Sequence, residues 1–159
     1  MEDARWYALR AFRNRTQPLM RDVQEAGHRV YYADCLSTIF FVNCPVEWLK
    51  EFKQSHLSDF MIYTDATGNK PAPIRDREME TFIMVTSVQY NNPDIEVLEP
   101  KVQYAQGDLV RVTDGIYKGA IGTVKRIRKD RKLLVSIPGV AVVAISHIPM
   151  CYLEKIESC

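Results

Sequence analysis

Short runs rich in aromatic and β-branched residues alternate with runs of helical spacing over residues 1–90. The short runs have the composition and length of strands, and the others place apolar residues every three or four positions, as helices do. Only a few residues join the second and third strands, so they should pair as an antiparallel hairpin. This order of elements predicts an α+β sandwich with helices against a mainly antiparallel sheet. The predicted strands are 5–12, 28–34, 37–43 and 59–63, and the predicted helices begin at Thr16, Pro45 and Asp76.

The segment 104–156 has a different pattern, in which short apolar runs are separated by glycines. Five of the seven glycines of the chain lie there. Many short strands with closely spaced turns are typical of a small β-barrel. Gly122 falls inside one of these strands, which predicts a bulge or a sharp corner.

The stretch between these two patterns, YNNPDIEVLEPK at 90–101, contains two prolines, two asparagines and several acidic residues. Such a composition favours a connecting segment over a packed element. We therefore predict an N-terminal α+β domain at 1–89, a linker at 90–102 and a C-terminal β module at 103–159.

Charge is distributed unevenly between the two parts of the chain. Residues 1–100 carry 11 Lys and Arg against 15 Asp and Glu, a net charge of −4, whereas 101–159 carry 10 against 5, a net charge of +5. Unequal charge predicts different electrostatic partners for the two parts, although clustering by chance gives the same pattern.

Compartment and chemistry are constrained mainly by what the sequence lacks. No apolar run is long enough to span a membrane, and the acidic N-terminus is not that of a secretory signal. The cysteines lack CxxC spacing, so we expect a reduced, cytoplasmic chain without a metal site. No nucleophile, zinc or nucleotide-binding motif is present, and we expect neither an enzyme nor a bound cofactor. The cysteines are Cys35, Cys44, Cys151 and Cys159.

A basic run, KRIRKDRK at 125–132, is placed between two predicted strands. A hairpin tip of this charge suits contact with phosphate groups of nucleic acid or of the ribosome. The alternative is a solvated turn whose charge prevents edge-to-edge sheet pairing. The run contains no aromatic residue, so base stacking is not indicated. Its candidate contact residues are Lys125, Arg126, Arg128, Lys129, Arg131 and Lys132.

The motifs of both parts together resemble the NusG family of transcription elongation factors. WYALRAF at 6–12 and STIFFV at 37–42 resemble the first and third strands of its N-terminal domain, and NKPAPIRDREMETFI at 69–83 resembles the approach to its last helix. GDLVRVTDGIYKGAIGTV at 107–124 and ISHIPMCYLEKI at 145–156 resemble the family's C-terminal KOW domain, an SH3-like β-barrel. The KOW-motif positions are Gly107, Asp108, Val110, Gly115, Gly119 and Gly122.

This resemblance implies a monomeric factor without membrane contact. Its N-terminal domain is expected to bind the β′ clamp helices of RNA polymerase, and its KOW domain to recruit ribosomal protein S10 or the termination factor Rho. Contact with non-template DNA or nascent RNA is a further expectation. By position, the candidates for the polymerase-binding cleft are Trp6, Phe12, Leu36, Ile39 and Phe41.

Three departures from the family pattern favour a specialised paralogue. Ser37, Thr38 and Ile39 replace a PGY-like turn, and the segment DCLS at 34–37 replaces a longer, often basic loop. Residues 138–140 read PGV in place of an FGR-like turn that is associated with S10 and Rho binding. Such paralogues antiterminate operons for surface polysaccharides, and a capsular operon antiterminator is the preferred interpretation. The alternatives are a general NusG that couples transcription to the ribosome or Rho, and a ribosome- or RNA-binding KOW protein.

Overall fold

The computed structural model describes residues 4–33, 36, 38–56, 58–65, 67–87, 95–98, 108–127, 130–137 and 140–156. The chain divides into two compact units, 1–76 and 77–159. Each unit contains one antiparallel sheet. The prediction of an α+β chain with antiparallel sheets is therefore confirmed.

The first unit is built on a four-stranded sheet in the order β2-β3-β1-β4. The predicted hairpin between the second and third strands is confirmed, with Tyr31 opposite Phe41. Gly27, at a φ of +90°, follows the first helix, because a left-handed conformation after the last turn costs glycine little. The elements are β1 (Arg5–Ala11), α1 (Thr16–Glu25), β2 (Arg29–Tyr32), β3 (Ile39–Cys44), α2 (Val46–Ser55) and β4 (Phe60–Ile62).

One face of this sheet forms the core of the first unit. Because successive strand residues point to opposite faces, every second residue of β1 and β3 is directed to that core. These residues pack with apolar residues of both helices and with Phe60 of β4. The fully or nearly fully buried members include Leu9, Phe40, Val42, Leu19, Val23 and Leu49.

The second unit contains a six-stranded sheet in the order β10-β6-β7-β8-β9-β5, antiparallel at every pairing. Its buried residues are mainly Val, Ile, Leu and Ala. Closure of this sheet into a barrel stays a prediction. The elements are α3 (Asp76–Thr86), β5 (Ile95–Leu98), β6 (Asp108–Val112), β7 (Ile121–Ile127), β8 (Asp130–Ile137), β9 (Ala141–Ile145), a 3-10 turn (Met150–Tyr152) and β10 (Leu153–Lys155).

The strand β5 lies within the predicted linker 90–102. It pairs with β9, and its Ile95, Val97 and Leu98 supply the aliphatic side chains of a short strand. The helix α3, from Arg77 onward, also belongs to the second unit, where the backbone N–H of Ile121 donates to the Thr81 hydroxyl at 3.5 Å. The predicted boundaries had placed α3 in the first domain; those boundaries stay a prediction.

Gly122 lies on β7 beside the backbone of β8, with no room for a side chain. A Cβ atom at this position would lie 2.3 Å from the carbonyl oxygen of Leu134. Any other residue would bring its Cβ atom into a clash with this oxygen, which explains why a glycine stands inside the strand.

Candidate functional site

The register of the first sheet places three of the predicted polymerase-binding residues on one face. Phe41 is opposite Ala8, and Trp6 and Ile39 share their side of the sheet because each lies two positions from one of this pair. This face is the one opposite to Leu9 and Phe40, whose side chains belong to the core; we call it the Trp6 face.

Most of the predicted cleft residues are buried. Trp6 is 5% exposed, Leu36 7% and Phe41 0%, whereas Ile39 is half-buried and Phe12 is 39% exposed. Side chains that are buried cannot themselves form a contact surface. Among the five, therefore, Phe12 and Ile39 are the residues that this structure leaves accessible.

Trp6 contacts Arg29 through its ring and Ile74 through its backbone, both within the first unit. The Arg29 guanidinium carbon lies 5.2 Å from the centroid of the Trp6 ring, within the range of a cation–π interaction. The backbone N–H of Ile74 donates to the Trp6 carbonyl at 2.8 Å. The ring centroids of Tyr31 and Phe41 are 6.4 Å apart on the same face. Trp6 and Phe41 therefore have a structural role, whatever else they do.

Phe12 follows directly after β1, and its backbone N–H donates to the Asp59 carbonyl at 2.8 Å. Arg13 and Asn14, the next two residues, have φ angles of 54° and 59° and turn the chain toward α1. The hydrogen bond and the turn fix the backbone that presents the exposed Phe12 ring.

The basic run forms the ends of β7 and β8 and extends into both strands. Lys125 is opposite Lys132, and Arg126 is opposite Arg131. Lys132 is only 11% exposed in its side chain, and its Nζ lies 3.0 Å from a carboxylate oxygen of Glu96 in β5. The structure therefore brings Arg126 and Arg131 together at the surface and holds Lys132 in an ion pair. The predicted contacts Arg128 and Lys129 lie outside the described residues.

The KOW-motif positions have backbone roles where they are described. Gly115 and Gly119 have φ angles of +86° and +96°, a region that favours glycine. Val110 is buried, and Asp108 begins β6 opposite Val124. Gly107 lies outside the described residues, as do Pro138 and Gly139 of the altered turn. The third turn residue, Val140, is buried, and its N–H donates to the Ile137 carbonyl at 2.9 Å.

The described residues contain no group of three or more His, Cys, Asp or Glu side chains that could hold a metal ion. Burial raises the pKa of the Cys44 thiol to about 12, so this group stays protonated at neutral pH. A hydrogen bond from the Thr67 hydroxyl is the main reason that the pKa of the exposed Asp65 carboxyl is lowered. The shifted pKa values of Cys44 and Asp65 are therefore both explained by the local structure.

Within the described part of the chain, no helix has the length and apolar character needed to cross a membrane.

This architecture was compared with known proteins. The KOW motif matches residues 106–137. A solved structure described as domain interaction in Thermotoga maritima NusG covers 97% of this chain and 98% of its own, with 19% identity and a TM-score of 0.51. A second, an MjSpt4:Spt5 complex in conformation B, covers 96% and 97%, with 14% identity and a TM-score of 0.38. The chain thus contains a KOW motif and shares its fold with NusG.

Proposed function

We propose that this protein is a transcription elongation factor of the NusG type, which associates with RNA polymerase through its first unit and recruits a second factor through its KOW module. The observation that carries the proposal is the combination of a KOW motif at 106–137 with a NusG-like fold over nearly the whole chain.

The polymerase-binding surface is assigned to the Trp6 face and its border. Phe12 and Ile39 supply the accessible apolar contacts, and the buried Trp6, Leu36 and Phe41 form the support beneath them. A helical hairpin such as the β′ clamp helices can lay its apolar side on such a surface, where a few large side chains dominate the affinity.

Surface variants test this assignment without removing core residues. The variants Phe12→Ser and Ile39→Ser are each titrated with purified core RNA polymerase. The matched control is Ile116→Ser. Ile116 is a 69% exposed aliphatic residue in the second unit. We expect Phe12→Ser to weaken binding about tenfold, because a large accessible aromatic contact is lost. Unchanged affinity in Phe12→Ser and Ile39→Ser, with native circular dichroism, would overturn the assigned surface.

We further propose an operon-specific role, such as antitermination of a capsular polysaccharide operon, over a general one. The basis is the short segment DCLS and the turn PGV at 138–140, which lacks the Phe and Arg of the general pattern. Titration of the full-length protein with ribosomal protein S10 and with Rho discriminates between the two roles. Absence of binding to both supports specialisation, and tight binding to either supports the general factor.

A ribosome- or RNA-binding KOW protein is the second candidate, favoured by the cations of β7 and β8. It requires that charge reversal at Arg126 and Arg131 weaken binding to RNA and reduce its dependence on salt. It leaves the first unit, with its complete sheet and two helices, without a role.

A further inference from the structure

A groove on the second unit combines positive charge with an apolar floor. Its volume is about 520 Å³. Lys125 and Arg126 line it from β7, Arg131 from β8 and Lys155 from β10. None of the described residues that line it carries a carboxylate. The groove therefore has the charge to attract an anionic partner.

The floor of this groove is aliphatic. Val110, Val124 and Leu153 line it together with Met150, whose side chain is 55% exposed. An exposed methionine beside the buried Val110 and the half-buried Val124 gives a partner apolar surface to cover, and the flexible thioether adapts to different shapes. Val124, Met150 and Leu153 also line a small adjoining cavity of about 20 Å³.

The cations and the floor are in direct contact. The Arg131 Nη1 atom lies 3.7 Å from the Met150 sulfur, so the guanidinium borders the exposed apolar side chain. The register also places Arg126 opposite Arg131, and like charges directly opposite each other reduce the stability of an antiparallel pair. A bound carboxylate would lower that repulsion. The neighbouring pair, Lys125 and Lys132, already has the Glu96 carboxylate beside Lys132.

We propose that this groove is the recruitment site of the KOW module and that it binds an acidic peptide segment of a partner protein, with an apolar side chain set between carboxylates. The carboxylates pair with Arg126 and Arg131, and the apolar side chain packs on Met150, Val124 and Leu153. The proposal rests on the adaptor role given above and deepens its second half. It does not depend on the polymerase-binding surface.

A peptide fits this groove better than a nucleic acid does. Phosphate groups need the cations but gain nothing from the aliphatic floor, and none of the described residues that line the groove is an aromatic that could stack on a base. A peptide that carries both carboxylates and an apolar side chain uses both parts of the surface. Burial of the apolar side chain supplies affinity that salt does not screen.

The test uses the full-length protein and three fluorescent probes at low and high salt. The first is a synthetic peptide in which leucines alternate with glutamates, the second replaces each leucine by serine, and the third is a single-stranded RNA oligonucleotide. We expect the leucine-containing peptide to bind most tightly and to keep the largest share of its affinity at high salt. Equal binding of the two peptides, or no binding of either, would overturn the proposal.

Matched variants locate the site. Met150→Ser should weaken binding of the leucine peptide about fivefold and leave the serine peptide unchanged, because only the apolar contact is removed. The double variant R126E/R131E should weaken both peptides at least about tenfold. Lys118→Glu, an exposed cation of the same unit outside the groove, is the control and should resemble the wild type.

Tighter binding of RNA than of peptide, unaffected by Met150→Ser, would overturn the proposal in favour of a nucleic-acid surface. Because the probes contain no polymerase, their failure leaves the polymerase-binding measurement as a separate result. Loss of polymerase binding with intact peptide binding would contradict the first half of the proposed function alone.

Discussion

The two sheets of this protein carry their candidate contact surfaces in different ways. On the first sheet the candidate surface is apolar, and three of its five predicted residues are buried. On the second sheet the candidate surface is cationic, and Arg126 and Arg131 are exposed. Apolar residues serve a core and an interface equally well, whereas charged residues are almost never fully buried unless paired. Sequence therefore locates the second kind of surface more reliably than the first.

The largest expected contrast lies within the first sheet, between two phenylalanines. Phe40 is fully buried in the core, and Phe12 is 39% exposed. We expect Phe40→Ala to lower the free energy of unfolding by about 4 kcal/mol, through lost burial and a cavity. Phe12→Ala should cost less than about 1 kcal/mol. Urea unfolding followed by circular dichroism measures both. Equal losses would contradict the assignment of Phe12 to a surface.

The next contrast sets a crowded glycine of the second sheet against an open one in the first unit. A Cβ at Gly122 meets the Leu134 carbonyl oxygen, whereas at Gly68 it meets nothing within 4 Å, at a φ of +76°. We expect Gly122→Ala to cost about 3 kcal/mol, since the strands must separate. Gly68→Ala should cost about 1 kcal/mol, from backbone strain alone. Thermal unfolding of the two variants measures both losses of stability. Similar losses would show that β7 and β8 can move apart at little cost.

The dependence of stability on alkaline pH tests whether the thiol of Cys44, the last residue of β3, is buried. Burial raises the pKa of the Cys44 thiol from 9.0 to about 12, so the native state holds this proton where the unfolded state releases it. Stability should fall as pH rises from about 9 to about 12, by about 1 kcal/mol per pH unit. Burial also raises the pKa of Tyr7, with a smaller contribution from Cys44. A comparison of the wild type with Cys44→Ala at neutral and alkaline pH isolates the thiol. Parallel pH profiles for the two proteins would contradict its burial.

The smallest effect concerns the ion pair that connects β8 to β5. Glu96→Ala leaves the nearly buried Lys132 ammonium without its carboxylate, and we expect a loss of about 1 kcal/mol. Lys132→Met keeps the packing of the stem without the charge and should be close to neutral. Urea unfolding of both variants is the measurement. A larger loss of stability in Lys132→Met than in Glu96→Ala would contradict this explanation.

Much of the first unit follows from its sequence. Its predicted strands and its first two predicted helices are present in the predicted order, and α1 begins at Thr16 as expected. The sequence alone does not show to which face of the sheet each aromatic residue points. Phe40 and Phe41 are neighbours of the same type, and only the pairing of β3 with β1 shows that they point to opposite sides.

In the second unit, the features that the sequence did not predict depend on long-range pairing. IEVL at 95–98 stands between prolines and asparagines and resembles a linker, but β9 offers it an edge on which to form a strand. The basic run was expected at a hairpin tip, and its outer residues belong to β7 and β8. Met150 and Lys155 reach the groove only through the return of β10 to β6. The basic run at 125–132 was the local signal that the sequence offered for this site.

The most direct test of the central claim is a pull-down from cell lysate with the full-length tagged protein, at low and high salt, followed by mass spectrometry. A NusG-type elongation factor should retain the subunits of core RNA polymerase at both salt concentrations, because its apolar contacts are not screened. Phe12→Ser should retain less polymerase than Ile116→Ser. Recovery of ribosomal proteins at low salt, their loss at high salt and the absence of polymerase throughout would contradict the account.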